Sequence, residues 1–187
     1  TAGLADDKTI YDTAGINRKT ALAYLRLLKN LMVIDELPSW TSNRLKRLVR
    51  SPNRYLVDPS LLVGTLGIDA ATVMRDGDLM GRLLETFVTT QLRAETTVGK
   101  TRARLYHRRR ELGRHEIDII IELGGQQLIG IEIKATSAPE RRDARHLEWL
   151  QDQVGDRFLA GIILHTGPAS YNLADGITAA PISTLWA

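Results

Sequence analysis

The sequence predicts an α/β protein in which a mixed β-sheet is flanked by helices and preceded by a small helical domain. The first observation is the stretch 114–134, where two strongly apolar segments are joined by a glycine turn. Strands buried within an α/β sheet read as such near-continuous runs of Ile, Val and Leu. The second is the stretch 9–37, where apolar residues recur at helical spacing before a short strand. We therefore expect two domains, residues 1–66 and 67–187, with the boundary near Gly67.

The composition is that of a globular protein. The 187 residues are 43% hydrophobic and 25% charged, and the absence of Cys excludes disulfides and thiolate metal sites. No stretch approaches the roughly 20 apolar residues of a membrane helix, so we expect a cytoplasmic location and no membrane partner. The net charge is +3 and the positive residues are clustered, which suits a polyanionic partner. Because the chain begins at Thr1 rather than Met, we expect it to be part of a longer protein.

The N-terminal domain has the layout of a winged helix-turn-helix. Gly15 separates two helical segments, and Asn17 is placed to cap the second, which we expect over residues 18–29. Residues 32–37 then form a short strand ended by Pro38, and Tyr55-Leu56-Val57 is its expected partner. This domain either contacts nucleic acid or serves as a packing module for protein contacts.

Basic residues cluster in three places that would suit a phosphate backbone. One is the start of the second helix, another is the loop before the second wing strand, and the third precedes the apolar hairpin. The alternative for each cluster is a solvated surface. The candidate nucleic-acid contacts are Arg18, Lys19, Arg44, Lys46, Arg47, Arg50, Arg108, Arg109 and Arg110.

Residues 66–78 contain Gly and Asp and are expected to form a connector, and residues 79–93 a helix. Glu85 lies next to the apolar stripe of that helix, where a side chain entering a cleft would sit. Alternatively, Glu85 is a glutamate at the edge of the core that pairs with Arg82.

The apolar hairpin contains carboxylates that need an explanation, because a buried ionised carboxylate is costly unless cations or hydrogen-bond donors compensate it. Alternation along a strand places Glu132 and Lys134 on one face. A two-residue turn would set Asp118 opposite Ile131, whereas a three-residue loop over 124–126 sets it opposite Glu132. We therefore predict an odd-length connection.

The remainder of the chain supplies the other layers of an α/β domain. A loop over 135–139 is followed by an amphipathic helix over 140–153 that packs on the sheet. A buried strand over 158–164 and a final strand within 177–186 complete the predicted elements.

The ordered set Gly81-Arg82-Leu83-Leu84-Glu85, then Asp118, then Glu132-Ile133-Lys134 resembles the PD-(D/E)XK nuclease superfamily. The resemblance implies a restriction-endonuclease-like fold with catalytic residues Glu85, Asp118, Glu132 and Lys134. Asp118 and Glu132 would hold Mg²⁺ or Mn²⁺, and Glu85 would complete the site. Lys134 would orient the attacking water or stabilise phosphate charge. Glu-x-Lys alone is common as a solvated pair, and folds are reused without their activity.

Five further motifs are Leu37-Pro38-Ser39-Trp40, Lys46-Arg47-Leu48-Val49-Arg50-Ser51-Pro52, Tyr55-Leu56-Val57-Asp58, Leu147-Glu148-Trp149-Leu150 and Ala180-Pro181-Ile182-Ser183-Thr184-Leu185-Trp186. They resemble the DUF4143 family, and this second resemblance implies a larger protein. In that family this region forms the C-terminal half of an AAA-type ATPase, so the partners would be DNA and the N-terminal ATPase module. ATP would bind only there, because residues 98–101 mimic a phosphate loop but Ala94 replaces its first glycine. We expect a metal-dependent, DNA-binding nuclease-like region; the alternative is a catalytically inactive nucleic-acid-binding, regulatory or protein-interaction module of that ATPase.

Overall fold

The computed structural model describes residues 7–47, 50–99, 101–109 and 115–186, so the candidate contact Arg110 lies outside the described residues. It is a mixed α/β structure with one two-stranded and one six-stranded sheet. The helices are α1 Asp7–Ala14, α2 Arg18–Asn30, α3 Arg44–Arg47, α4 Pro59–Leu66, α5 Ala70–Arg75, α6 Gly77–Val98 and α7 Arg145–Val154. The strands are β1 Ile34–Leu37, β2 Asn53–Leu56, β3 Arg104–Arg109, β4 Glu116–Glu122, β5 Leu128–Lys134, β6 Phe158–His165, β7 Tyr171–Ala174 and β8 Ile177–Pro181.

The N-terminal segment, α1 to α5, begins with two helices and a two-stranded antiparallel sheet. The predicted start of α2 is confirmed, because the Asn17 side chain accepts a hydrogen bond from the Thr20 backbone N–H at 3.0 Å. Gly15 has a φ of 64° in the turn before α2, a conformation that favours glycine. The predicted strand pair is also confirmed, with Ile34 opposite Leu56 in the register of β1 and β2.

The stretch expected to be a connector is largely helical instead. It contains α5 and the first turn of α6, which starts at Gly77 and continues to Val98. Two aspartates that we expected in a loop cap helices instead. Asp69 Oδ1 accepts a hydrogen bond from the Thr72 backbone N–H at 2.8 Å, and Asp76 Oδ1 accepts one from the Leu79 backbone N–H at 3.0 Å.

The six-stranded sheet has the order β3-β4-β5-β6-β8-β7. Strands β3, β4 and β5 are antiparallel neighbours, β5, β6 and β8 are parallel, and β7 pairs antiparallel with β8 at the edge. The predicted mixed sheet is confirmed, but β7 was not predicted from the sequence. The expected helix over 140–153 is divided into a 3₁₀ turn, Arg141–Ala144, and the helix α7.

Each face of the six-stranded sheet carries a hydrophobic core. On one face α6 contributes Val88 and Leu92, which pack with Ile119, Ile131 and Ile133 of the hairpin. On the other face α7 packs Leu147 and Leu150 against Ile120, Leu128 and Ile163. Gly130 of β5 lies directly beneath α7, since a Cβ added there would be 2.7 Å from Leu147 Cδ2.

The N-terminal segment is joined to the six-stranded sheet by a buried ion pair. Arg47 Nη1 and Nη2 lie 2.6 Å and 3.1 Å from the two carboxylate oxygens of Glu122 on β4. The side chains are 10% and 8% exposed, and the guanidinium lies over the Tyr106 ring at 4.8 Å. This bidentate contact attaches α3 to β3 and β4.

Among the described residues, no helix combines the length and the apolar character needed to cross a membrane.

Replacing Arg47 with Ala tests this junction. We expect Arg47→Ala to lower the free energy of unfolding by about 3 kcal/mol, because it leaves the Glu122 carboxylate buried without its cation. Urea denaturation followed by circular dichroism measures the change. The control is Arg142→Ala, which breaks an ion pair with Glu140 whose side chains are 77% and 64% exposed and should cost less than about 1 kcal/mol. Equal losses in both variants would contradict the anchoring role of Arg47.

Candidate active site

A cavity of about 440 Å³ lies between the N-terminal half of α6 and the strands β3, β4 and β5. It brings together three of the four residues predicted to be catalytic: Glu85, Asp118 and Lys134. Charged side chains dominate the wall, and both signs are present. The lining residues are Gly77, Asp78, Gly81, Arg82, Glu85, Arg109, Glu116, Asp118, Ile133 and Lys134.

Asp118 reaches this cavity because β4 carries one additional residue relative to β3. Tyr106 pairs with Ile120, but Arg108, two residues further along β3, pairs with Ile117, three residues back along β4. A bulge of this kind reverses the alternation of side chains along the strand. Ile117 and Ile120 consequently share the α7 face, and Asp118 lines the cavity beside α6.

The predicted odd-length connection between β4 and β5 is confirmed. A three-residue turn, Gly124–Gln126, joins the strands, and Leu123 N–H donates to the Gln127 carbonyl oxygen at 2.9 Å. The residue pairing ends at Ile119 opposite Ile131. Beyond that pair Asp118 uses its side chain instead, accepting a hydrogen bond from the Ile133 backbone N–H at 2.8 Å.

Glu132 is buried against α7 rather than in the cavity wall. Its side chain is 3% exposed, and one carboxylate oxygen accepts a hydrogen bond from Lys134 Nζ at 3.0 Å. The other oxygen, Oε1, lies 3.5 Å from His146 Nδ1, which is 2.7 Å from the Glu116 carbonyl oxygen. Within the described part of the chain, Oε1 therefore accepts no hydrogen bond. By the register of the hairpin Asp118 and Glu132 are opposite each other, but Asp118 faces the cavity and Glu132 faces α7.

Glu85 is held by the N-terminal segment. The Tyr55 hydroxyl donates to Glu85 Oε1 at 2.8 Å. Burial raises the pKa of Glu85 to about 7, and the negative charges of Glu116 and Glu132 act in the same direction, while the Tyr55 hydrogen bond opposes them. The side chain thus binds a proton more tightly than an exposed glutamate does.

The pKa of Asp118 is raised well above its ordinary value by burial and by the charges of Glu132 and Glu85. The pKa of Lys134 is also raised, because attraction to Glu132 and Asp118 outweighs the effect of its burial. Glu132 and Asp118 thus act on the Lys134 ammonium, whereas Glu85 is under the influence of Glu116, Glu132 and Arg82.

A divalent metal ion is the first candidate ligand of this donor set. Carboxylate oxygens are the ligands that Mg²⁺ prefers, and Glu132 Oε1 is buried without a hydrogen-bond donor among the described residues, 3.5 Å from His146 Nδ1. In the described ranges, however, no three Asp, Glu or His side chains converge as a ready metal cluster. The chemistry of the residues fits a hard cation, and Asp118 with Glu85 is the carboxylate pair that shares the open cavity.

The predicted nucleic-acid contacts whose side chains are described have different surroundings. Arg109 lines the cavity with its Nε 3.7 Å from Glu116, whereas Arg108 lies between the rings of Trp40 and Trp149 at 4.8 Å and 4.5 Å. Arg47 is the buried partner of Glu122 described above, and Arg50 Nη1 donates to the Arg109 carbonyl oxygen at 3.4 Å.

The two contacts predicted on α2 are distant in sequence from the residues that line the cavity. Arg18 and Lys19 are exposed in its first turn. Further along α2, Tyr24 and Leu27 are 54% and 51% exposed. The backbone of Arg44 and Lys46 lies in α3, next to Arg47.

Sequence reasoning missed Tyr55 and His146 as residues that shape the site. No local pattern marks Tyr55 as a site residue, since it lies on β2, 30 residues before its partner Glu85. His146 had a weak signal: it precedes Leu147 and lies four residues before Leu150, so a polar side chain borders the apolar face of α7.

The fold and the site together define an α/β domain with an acidic cleft beside a mixed sheet. Residues 80–185 match the family model described as "Domain of unknown function (DUF4143)", and the chain belongs to this family. Residues 1–72 match a second model, "Domain of unknown function (DUF8612)". The motifs at 37–58 that resemble DUF4143 thus fall in the region that the second model matches.

Two mycobacterial proteins are similar to the chain over most of its length. They are "Uncharacterized protein Rv2008c" of Mycobacterium tuberculosis and "Uncharacterized protein Mb2031c" of Mycobacterium bovis. Each is 32% identical over 167 residues, which is 89% of this chain and 35% of the relative. The chain therefore spans about a third of the length of these curated relatives. No solved structure matches it.

The raised pKa of Glu85 predicts how stability depends on pH without added metal. Its folded-state pKa of about 7 exceeds the ordinary 4.5, so its stabilising contribution is fully present below about pH 4.5. That contribution is lost as the pH rises through 7. We expect Glu85→Gln to remove this loss, changing the free energy of unfolding relative to wild type by on the order of 2 kcal/mol between the two limits.

Urea denaturation in EDTA between about pH 4.5 and pH 8 measures this difference. The control is Glu148→Gln, which alters an exposed pair with Arg141 and should differ from wild type by a constant amount. A pH-independent difference for Glu85→Gln would show that Glu85 titrates normally.

Proposed function

We propose that the chain is a metal-dependent, nuclease-like, DNA-binding C-terminal region of an AAA-type ATPase that hydrolyses phosphodiester bonds. The observation that carries the proposal is the cavity in which Glu85, Asp118 and Lys134 meet. Burial raises the pKa values of Glu85 and Asp118, and the charges of neighbouring carboxylates add to the effect; a divalent cation would offset that repulsion. ATP would bind only to the rest of the longer protein.

The order of elements supports a restriction-endonuclease-like fold. The helix that carries Glu85 precedes the hairpin that carries Asp118 and Glu132-Ile133-Lys134. The hairpin is followed by α7 and by β6, which is parallel to β5. The α1-turn-α2 arrangement and the β1-β2 pair likewise support a winged helix-turn-helix as the N-terminal domain.

Each residue of the site has a distinct role in this proposal. Asp118 and Glu85 would hold Mg²⁺ or Mn²⁺, with the charge of Glu132 beside them. When bound, such a cation polarises phosphate and lowers the pKa of water. Lys134, 32% exposed and bonded to Glu132, presents positive charge at the cavity for the phosphate or the attacking water. Arg82 and Arg109 add further positive charge to the wall.

The second candidate is a catalytically inactive nucleic-acid-binding or regulatory module of the same ATPase. The observation in its favour is Glu132, which is buried between Lys134 and His146 and does not line the cavity. In this alternative the three residues form a structural ion network. The cavity then has no metal-dependent chemistry.

Titration calorimetry with Mn²⁺ or Mg²⁺ separates the two candidates. The nuclease proposal predicts saturable binding that Asp118→Asn and Glu132→Gln both weaken at least about tenfold, because each removes a negative charge from the site. The matched control is Asp152→Asn, an exposed carboxylate on α7 that should leave affinity unchanged.

The titration has two informative outcomes. Binding that requires Asp118 and Glu132 justifies a screen for metal-dependent cleavage of DNA, with Lys134→Met expected to abolish cleavage. If the folded wild type takes up neither metal, the nuclease proposal fails and the regulatory module stands.

DNA binding tests the part of the proposal shared by both candidates. We expect affinity for duplex DNA to fall about tenfold between about 50 and 200 mM salt, since phosphate contacts release counterions. The double variant Arg18→Ala/Lys19→Ala should flatten this dependence, and Arg142→Ala, which removes an exposed charge near α7, should not. Fluorescence anisotropy provides the measurement; no salt-sensitive binding by wild type would point to a protein-interaction module instead.

A further inference from the structure

Tyr55 connects the N-terminal segment to the acidic cavity. It lies on β2, opposite Asp35 of β1, and its side chain is 1% exposed. Its hydroxyl donates to Glu85 Oε1 at 2.8 Å. Glu85 itself is on α6, which lines the cavity with residues of β3, β4 and β5. One residue that shapes the cavity thus comes from outside the elements that form its wall.

The Tyr55 hydroxyl has a fixed direction. Asn53 Nδ2 donates to the hydroxyl oxygen at 3.3 Å, so the hydroxyl hydrogen is available for Glu85. Asn53 is 4% exposed and lies two residues before Tyr55 on the same strand, so it projects from the same side. The pair forms a short chain of donors that ends on the carboxylate.

The Tyr55 ring cannot easily leave this position. It belongs to the same hydrophobic cluster as Leu37 of β1 and as Val88 and Leu92 of α6. Withdrawing the hydroxyl from Glu85 would require the ring to leave that core. The hydrophobic packing therefore places the donor, and the donor restricts the rotation of the Glu85 carboxylate.

We infer that Tyr55 is a positioning residue of the acidic site, so that the N-terminal segment completes a cation site whose ligands lie on α6 and the sheet. This inference rests on the cation site proposed above. It adds that Glu85 is oriented by a hydroxyl from another part of the fold. Cation affinity therefore depends on how the wing strand β2 is docked.

The Phe variant separates positioning from packing. Tyr55→Phe keeps the aromatic ring in the core and removes only the hydroxyl. Tyr171→Phe is the matched control, because the Tyr171 hydroxyl also donates one hydrogen bond of 2.8 Å, to the Pro139 carbonyl oxygen. Tyr171 is not among the residues of the cavity wall.

The experiment is titration calorimetry with Mn²⁺ on five proteins: wild type, Tyr55→Phe, Glu85→Gln, the double variant of these two, and Tyr171→Phe. We expect Tyr55→Phe to weaken Mn²⁺ binding about tenfold, because the Glu85 carboxylate loses the donor that orients it toward the cation. In the Glu85→Gln background the same change should have no further effect, since its target has been removed. Tyr171→Phe should bind Mn²⁺ as wild type does.

The outcomes distinguish this inference from the proposed function. Wild-type affinity in Tyr55→Phe, or an equal loss in the presence and absence of the Glu85 carboxylate, overturns the positioning role and leaves the cation site intact. A wild type that binds no Mn²⁺ overturns both. Thermal unfolding of each variant confirms that the compared proteins are folded.

Discussion

The cost of burying carboxylates around a single ammonium group is the constraint on which this structure depends. Glu85, Asp118 and Glu132 come from three different elements, and each finds a different partner. A tyrosine hydroxyl bonds Glu85, a backbone N–H bonds Asp118, and Lys134 bonds Glu132. These partners hydrogen-bond one oxygen of each group, while burial and the neighbouring charges raise the pKa values of Glu85 and Asp118.

The partners of these carboxylates also explain why the two parts of the chain are packed together. Tyr55 and Arg47 both belong to the N-terminal segment, and both bond carboxylates of the other part, on α6 and β4. Between them, Trp40 N–H donates to the His107 carbonyl oxygen at 2.7 Å, joining the backbone of the two parts. The regions matched by the two family models thus meet through charged and polar contacts. Any account of the acidic site has to include both.

Much of the hairpin could be predicted because its signals are local. The alternation of side chains along the two strands was sufficient to predict a connection with an odd number of residues, and Asn17 marked the start of α2. The bulge at Asp118 could not be predicted, because it depends on the register in which β3 pairs with β4. The contacts of Tyr55 and His146 are equally non-local. The caps Asp69 and Asp76 were misread because aspartate favours loops and helix starts alike.

Gly130 has an effect beyond the close packing of α7. With no side chain at this position, the ends of Leu147 and Leu150 on α7 pack directly against β5, in space that an added methyl group would take. Leu147, the residue in contact there, directly follows His146, so the same approach brings the imidazole to 3.5 Å from Glu132, two residues along the strand. The close packing of α7 on Gly130 therefore helps to set the electrostatic surroundings of the buried Glu132 carboxylate. The spacing of two layers, rather than the choice of a charged residue, tunes this end of the site.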